Sequence, residues 1–161
     1  MIVLDDKSIR VLERVSELDY FDSQTAELPC EVTPLDVWNL VISEPRPCLK
    51  LAFKVRDRIS AVFGVQEIQG FSGQQVASVE VGDRLDFFLV EDVDDSVLVL
   101  TARDRHLDVM TCISTQGSAV TITSSVQVHN AFGHAYMLPV GIAHRWIVRN
   151  MLRRLQSKLS A

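Results

Sequence analysis

The sequence holds few of the residue patterns that catalyse or coordinate in familiar ways. Its three cysteines, Cys30, Cys48 and Cys112, cannot all pair, and none stands in a CxxC spacing. Neither a disulfide framework nor a thiolate metal site is written into the chain. Such cysteine usage suits a reducing compartment, so a cytoplasmic location is expected. No apolar run nears the roughly 20 residues a membrane-spanning helix needs, and the opening MIVLDDKSIR puts acids straight after a very short apolar start, unlike a secretory leader. Membrane insertion and secretion are not expected. Glycine-rich phosphate loops, GxSxG and HExxH are missing too, which removes the common nucleotide, serine-hydrolase and zinc-protease signatures. His129, His134 and His144 follow no metal-ligand spacing, so no metal or cofactor is expected. After Asp108 there is no acidic residue at all.

What is present suits one globular domain over residues 1–161: 47% of the residues are hydrophobic and 23% charged, ordinary values for a chain that can bury a single core. The net charge of -5 is unevenly spread, because Arg145, Arg149, Arg153, Arg154 and Lys158 crowd the last segment. Confined to one helix, they read as its solvated face and as a complement to its macrodipole, so no nucleic-acid partner is expected.

Along the chain, Val11, Val15 and Leu18 recur at helical spacing, which predicts a short amphipathic helix over Ser8–Glu17 and a helical extension over residues 1–18. Residues 19–28 read as a strand ending at Pro29. Thr33, Pro34 and Asp36 supply a cap, a first-turn proline and a first-turn acid for a helix from Pro34 to about Ile42, broken by the prolines at 45 and 47. A second helix is predicted over Cys48–Phe63, with Leu51, Val55, Ile59 and Val62 on one face and Gly64 as its cap. Residues 65–81 read as loop or edge strand. Four β-rich runs follow, RLDFFLVED, SVLVLTA, HLDVMTCIST and SAVTITSSVQVHN. The breaks at Asp94-Asp95, Asp104-Arg105 and Gln116-Gly117 are short enough to require antiparallel hairpins. Helical spacing returns after Pro139 and runs to about Lys158, with Val140, His144, Ile147, Met151 and Leu155 together. The class is α+β.

Register follows from the turns, since a one-residue slip would exchange the two sheet faces. A turn at Gln116-Gly117 sets Ile113 opposite Val120, Thr111 opposite Ile122, Val109 opposite Ser124 and Leu107 opposite Val126. Carried through the other turns, the inner face collects Phe87, Leu89, Leu98, Leu100, Leu107, Val109, Ile113, Val120, Ile122, Val126 and Val128. Its polar exceptions are Glu91, Thr111, Ser124 and, from the helix, His144. The outer face carries Phe88, Val90, Val97, Val99, Met110 and Cys112 beside polar Asp108, Thr121, Thr123 and Ser125. An apolar patch of that size needs a cover. Two covers are open, the N-terminal helix or a second copy in a two-fold dimer through Phe88, Val90, Val97, Val99 and Met110, and the narrowness of the helix favours the dimer.

The run Asp104-Arg105-His106-Leu107-Asp108, then His129-Asn130 with Gly133 and Tyr136, then the proline-led helix with His144, resembles a bacterial family known as domain of unknown function 2867. Asp19-Tyr20 with Asp22, and Val55-Arg56-Asp57 to Phe63-Gly64, extend the likeness to roughly residues 19–155. That family is considered similar to the START-like, helix-grip (SRPBCC) superfamily. The resemblance implies a curved antiparallel sheet wrapped around a long C-terminal helix, with two short helices after the first strand, and often an apolar ligand cavity. It carries no catalytic residues over.

On these grounds the expected function is binding of a small, largely apolar molecule between sheet and helix. Thr111, Ser124 and His144 would orient it, Leu100, Val109, Ile122 and Met151 would line the space, and His134 and Tyr136 would stand at its mouth. A closed core with the same residues packed is the alternative. So is an enzyme of the cyclase or dehydratase type found among START-like proteins, using His144 or the His106/Asp108 pair as acid and base.

Overall fold

A computed structural model of the chain describes residues 1–4, 8–43 and 72–160. The helix expected over Cys48–Phe63 lies outside them. Among the described residues, no helix is long and apolar enough to cross a membrane.

The last three hairpins build most of the sheet. Strands β4 (Arg84–Leu85), β5 (Phe88–Val93), β6 (Val97–Arg103), β7 (Leu107–Gln116) and β8 (Ala119–Val128) follow one another in antiparallel order, and β3 (Tyr20–Glu27) closes the far edge beside β8. Gly117 takes φ +59°, which suits it to the first loop position of a type II′ hairpin. The loop is Gly117-Ser118, so Thr111 lies opposite Ser124 and Ile113 opposite Ile122, two residues from the register the sequence predicts. A two-residue shift leaves every side chain on its own face. The same happens between β6 and β7, where Asp104 Oδ1 accepts from the backbone N–H groups of His106 and Leu107. That turn holds four residues rather than two, and Ala102 pairs with Val109.

The predicted faces fail in β5. A bulge between Val90 and Asp92 inserts one residue, so Val90 stands opposite Leu100 and packs inward with Phe88, while Leu89 pairs with Thr101. Phe87 and Leu89 are thus not inner-face residues. Glu91 is not an inner polar exception either: it accepts from Thr101 and Arg103 instead.

Among the described residues, two helices cover the inner face. Thr33 caps α1 (Pro34–Ile42) in a reciprocal capping box with Asp36, and Val37, Trp38, Val41 and Ile42 pack onto Leu98, Leu100, Ile113 and Ile122. The C-terminal helix α2 (Ala131–Leu159) is longer than predicted, because Asn130 caps it two turns before Pro139. It adds Val148, Leu152 and Leu155 to the same core and lies mainly along β3. The architecture is α+β and helix-grip-like.

The outer face is covered by the chain itself. In place of the predicted N-terminal helix, β1 (Ile2–Leu4) pairs with β2 (Ile9–Val11), followed by a single 3-10 turn at Val15–Glu17. The segment is tied down by sheet side chains: Arg10 N–H donates to Cys112 Sγ, the Cys112 thiol donates to Ser8 O, and Leu12 N–H donates to Ser125 Oγ. Leu12 and Leu18 then pack on Val97, Val99, Met110 and Cys112. The face expected to carry a dimer is therefore no open surface: Val97, Val99 and Met110 are buried beneath residues 8–18, and Phe88 and Val90 belong to the inner core.

Burial pushes the Cys112 thiol up to about 11, leaving little thiolate for alkylation near neutral pH. Val99→Glu should leave oligomeric state untouched and cost about 3 kcal/mol or more, the penalty of a buried unpaired charge. It should also expose Cys112 to iodoacetamide while labelling at the exposed Cys30 stays constant, as read by peptide mass mapping.

Candidate functional site

Strand alternation sends Tyr20 and Asp22 to the inner face of β3, opposite Val126 and Ser124. Helix α2 passes directly above them, and glycine makes the passage possible. A Cβ at Gly141 would lie 2.9 Å from Tyr20 Cε2, and one at Gly133 would lie 2.6 Å from both His106 O and Val128 Cγ1.

Under α2, the Tyr20 hydroxyl donates to Gly141 O at 3.1 Å and lies 3.4 Å from His144 Nδ1. On the other side of the imidazole, Ser124 Oγ is 3.5 Å from Nε2. With the tyrosine proton on the carbonyl, the consistent arrangement has Ser124 donating to Nε2 and Nδ1–H donating to the tyrosine oxygen. Both contacts are long, so they orient the rings more than they bind them. Burial pushes the pKa of His144 below its ordinary value, against the pull of Asp22. Burial also raises that of Tyr20, with Asp22 adding to the rise and Arg145 opposing it. At neutral pH the cluster is uncharged. Beside it sits one ion pair, Arg145 to Asp22 at 3.4 Å, with Gln24 donating to Asp22 at 2.6 Å and to Arg145 O at 3.1 Å. The guanidinium lies 5.5 Å from the centroid of the Tyr20 ring.

Beyond Tyr20 the edge of the sheet and α2 diverge into a groove of about 640 Å³. Val128, Ala135, Leu138 and Ile142 make its apolar wall, and Asp19, His134 and Arg145 supply the polar groups. Tyr20 lines the groove and also contacts His144, whereas His144 and Ser124 are not among the residues that line it. Ser124 is buried, which closes its hydroxyl to a substrate.

Of the residues expected around a ligand, the structure brings Ser124, His144 and Thr111 together, since Thr111 stands across from Ser124 on β7. Leu100 and Ile122 are packed core beneath α1, and Met151 packs against that core. Val109 and Thr111 are half-buried. Tyr136 does not line the groove. Its ring stacks with Phe132 on another side of α2, whereas His134 does reach the groove, 3.7 Å from Asp19.

His106 and Asp108 do not form a pair. Arg105 Nε donates to His106 Nε2, so its ring proton sits on Nδ1 and is given to Asn130 Oδ1; Asp108 faces His129 at 3.2 Å. These contacts fasten the β6–β7 turn to the start of α2. Among the described residues, no three His, Cys, Asp or Glu side chains converge as metal ligands would. Sequence reasoning missed Tyr20 as a site residue, because no short turn joins β3 to β8 and no hairpin could therefore fix its place beside Val126.

The fold and this seam define an α+β, helix-grip-like domain whose long helix is held against an edge strand by a tyrosine. The chain belongs to the family described as protein of unknown function (DUF2867), whose model matches residues 14–151. No curated protein and no solved structure matches the chain.

Two outcomes follow. Gly133→Ala should destabilise by about 2 kcal/mol or more, because the new methyl meets a backbone carbonyl; Gly141→Ala should cost less, since the Tyr20 ring can swing aside. A depressed histidine pKa means that the unfolded chain takes up the proton first as pH falls. The contribution of His144 is then complete above about pH 6.5 and declines as pH drops through the window below it. Thermal melts at about pH 7.5 and about pH 5.5 should show a larger loss for wild type than for His144→Gln.

Proposed function

We propose that this chain binds a small, largely apolar molecule in the groove between the start of β3 and α2, without transforming it. The observation that carries this reading is the groove itself: open to solvent, about 640 Å³ in volume, and mostly apolar with a few polar groups at its margin, the lining typical of small-molecule sites. Arg145 and His134 at that margin, each beside a carboxylate, offer hydrogen-bond donors to a ligand with an acceptor end. Ser124 and His144 act through Tyr20, holding the wall in place. The helix-grip-like arrangement supports kinship with START-like proteins, and the free thiols of Cys30 and Cys112 support a cytoplasmic setting. A cyclase- or dehydratase-like reaction finds less support. His144 does not line the groove, and both ring nitrogens of His106 are engaged.

Anilinonaphthalene sulfonate, an apolar probe with one anionic end, tests the proposal by fluorescence titration. Ala135→Phe fills the groove from an exposed helix position and should weaken probe binding about tenfold with an unchanged melting temperature, whereas Trp146→Ser, outside the groove, should not. Equal binding by wild type and Ala135→Phe would sink the reading.

A further inference from the structure

Successive residues of a helix turn by about 100°, so Leu138, Ile142, Arg145, Trp146, Arg149 and Arg153 fall within one arc of about 100° on α2. That arc is centred about 100° around the helix from the one formed by Val148, Leu152 and Leu155, which face the sheet. Its apolar members stand far out: Leu138 is 74% exposed, Ile142 76% and Trp146 61%. Together they make a ridge on the order of 400 Å², in the range where the largest patch of a monomer is often functional. The arginines continue the ridge toward the C-terminal end, and α2 contains no acidic residue.

We propose that this ridge docks α2 on the surface of an anionic lipid bilayer, lying in the plane of the interface without spanning it. Charge complementarity decides the occupant. A second copy packed antiparallel through a two-fold axis at the centre of the ridge would set Arg149 and Arg153 against Ile142 and Leu138 of the other copy, burying guanidinium groups on apolar side chains with no carboxylate on either α2 to pair them. A rigid acidic protein would need a groove shaped to three separate protruding side chains. A bilayer interface meets both demands at one depth: acyl chains take Leu138 and Ile142, the headgroup layer suits Trp146, and lipid phosphates face the guanidinium groups. Leu138, Ile142 and Arg145 also line the groove, whereas Trp146, Arg149 and Arg153 do not, so variants at those last three positions separate bilayer docking from occupancy of the groove.

Co-sedimentation of the full chain with vesicles tests it, using phosphatidylglycerol and phosphatidylcholine in equal parts against phosphatidylcholine alone. The expected result is partition onto the mixed vesicles only, weaker at about 0.5 M salt than at about 0.1 M. Trp146 emission should move to the blue on binding, and buried Trp38 supplies a constant background. The pair Arg149→Glu with Arg153→Glu should reduce partition about tenfold or more, while the corresponding lysine pair retains it. Trp146→Ser should abolish the emission shift; all these positions are exposed, and unchanged melts confirm folding. No partition at low salt, or partition indifferent to the arginine pair, overturns the proposal. So does concentration-dependent self-association of wild type that Trp146→Ser removes, which would make the ridge a copy-to-copy interface.

Discussion

The close approach of α2 to the sheet at Gly133 and Gly141 is the constraint on which the remaining arrangement rests. A glycine inside a helix costs about 1 kcal/mol relative to alanine, and α2 holds both of these together with Pro139, which cannot donate a helical hydrogen bond. The cost is offset by contact. At Gly133 the first turn rests on His106 O and Val128, and at Gly141 the helix admits the Tyr20 ring beneath it. Those two points set the rotation of the whole helix. They turn Val148, Leu152 and Leu155 into the core, put His144 within reach of Ser124, and leave Leu138, Ile142 and Trp146 pointing outward.

Antiparallel sheets often leave one face to water, but this one is covered on both. The run Val97–Leu100 is buried throughout because α1 lies over Leu98 and Leu100 while the N-terminal segment lies over Val97 and Val99. Arg10 is part of that cover, placing its guanidinium 3.4 Å from Asp92. The polar residues of the outer face satisfy one another toward β3, where Ser23 meets Thr123 and Thr25 meets Thr121, each at 2.8 Å.

Much of this was legible in the residues. The strands were plain from β-rich runs and acidic or glycine turns, and α1 from Thr33, Pro34 and Asp36. The inner and outer faces of β6, β7 and β8 survived an error in the length of one turn and in the position of the other, since each shifts the register by two and keeps parity. The β5 bulge was not legible, because residues 87–90 are all apolar and carry no alternation that a one-residue insertion could disturb. Val11, Val15 and Leu18 suggested a helix by spacing alone; the tertiary contacts of Arg10 and Leu12 with Cys112 and Ser125 outweigh so short a pattern. Within the site, Ser124 and His144 stood out as polar residues among apolar ones. Tyr20 and the groove did not, because both depend on where α2 lies across the sheet edge, and periodicity gives a helix its face but not its position.

The covering of the outer face also has a consequence for how the chain acquires its structure. Arg10 meets Cys112 at a sequence separation of 102, and Leu12 meets Ser125 at one of 113. Such separations raise the contact order and slow the search for the native topology. During synthesis these residues leave the ribosome long before their partners exist, and β6 and β7 emerge later with an apolar outer side still bare. The vulnerable species is thus a nearly complete sheet whose N-terminal segment has not yet returned to it.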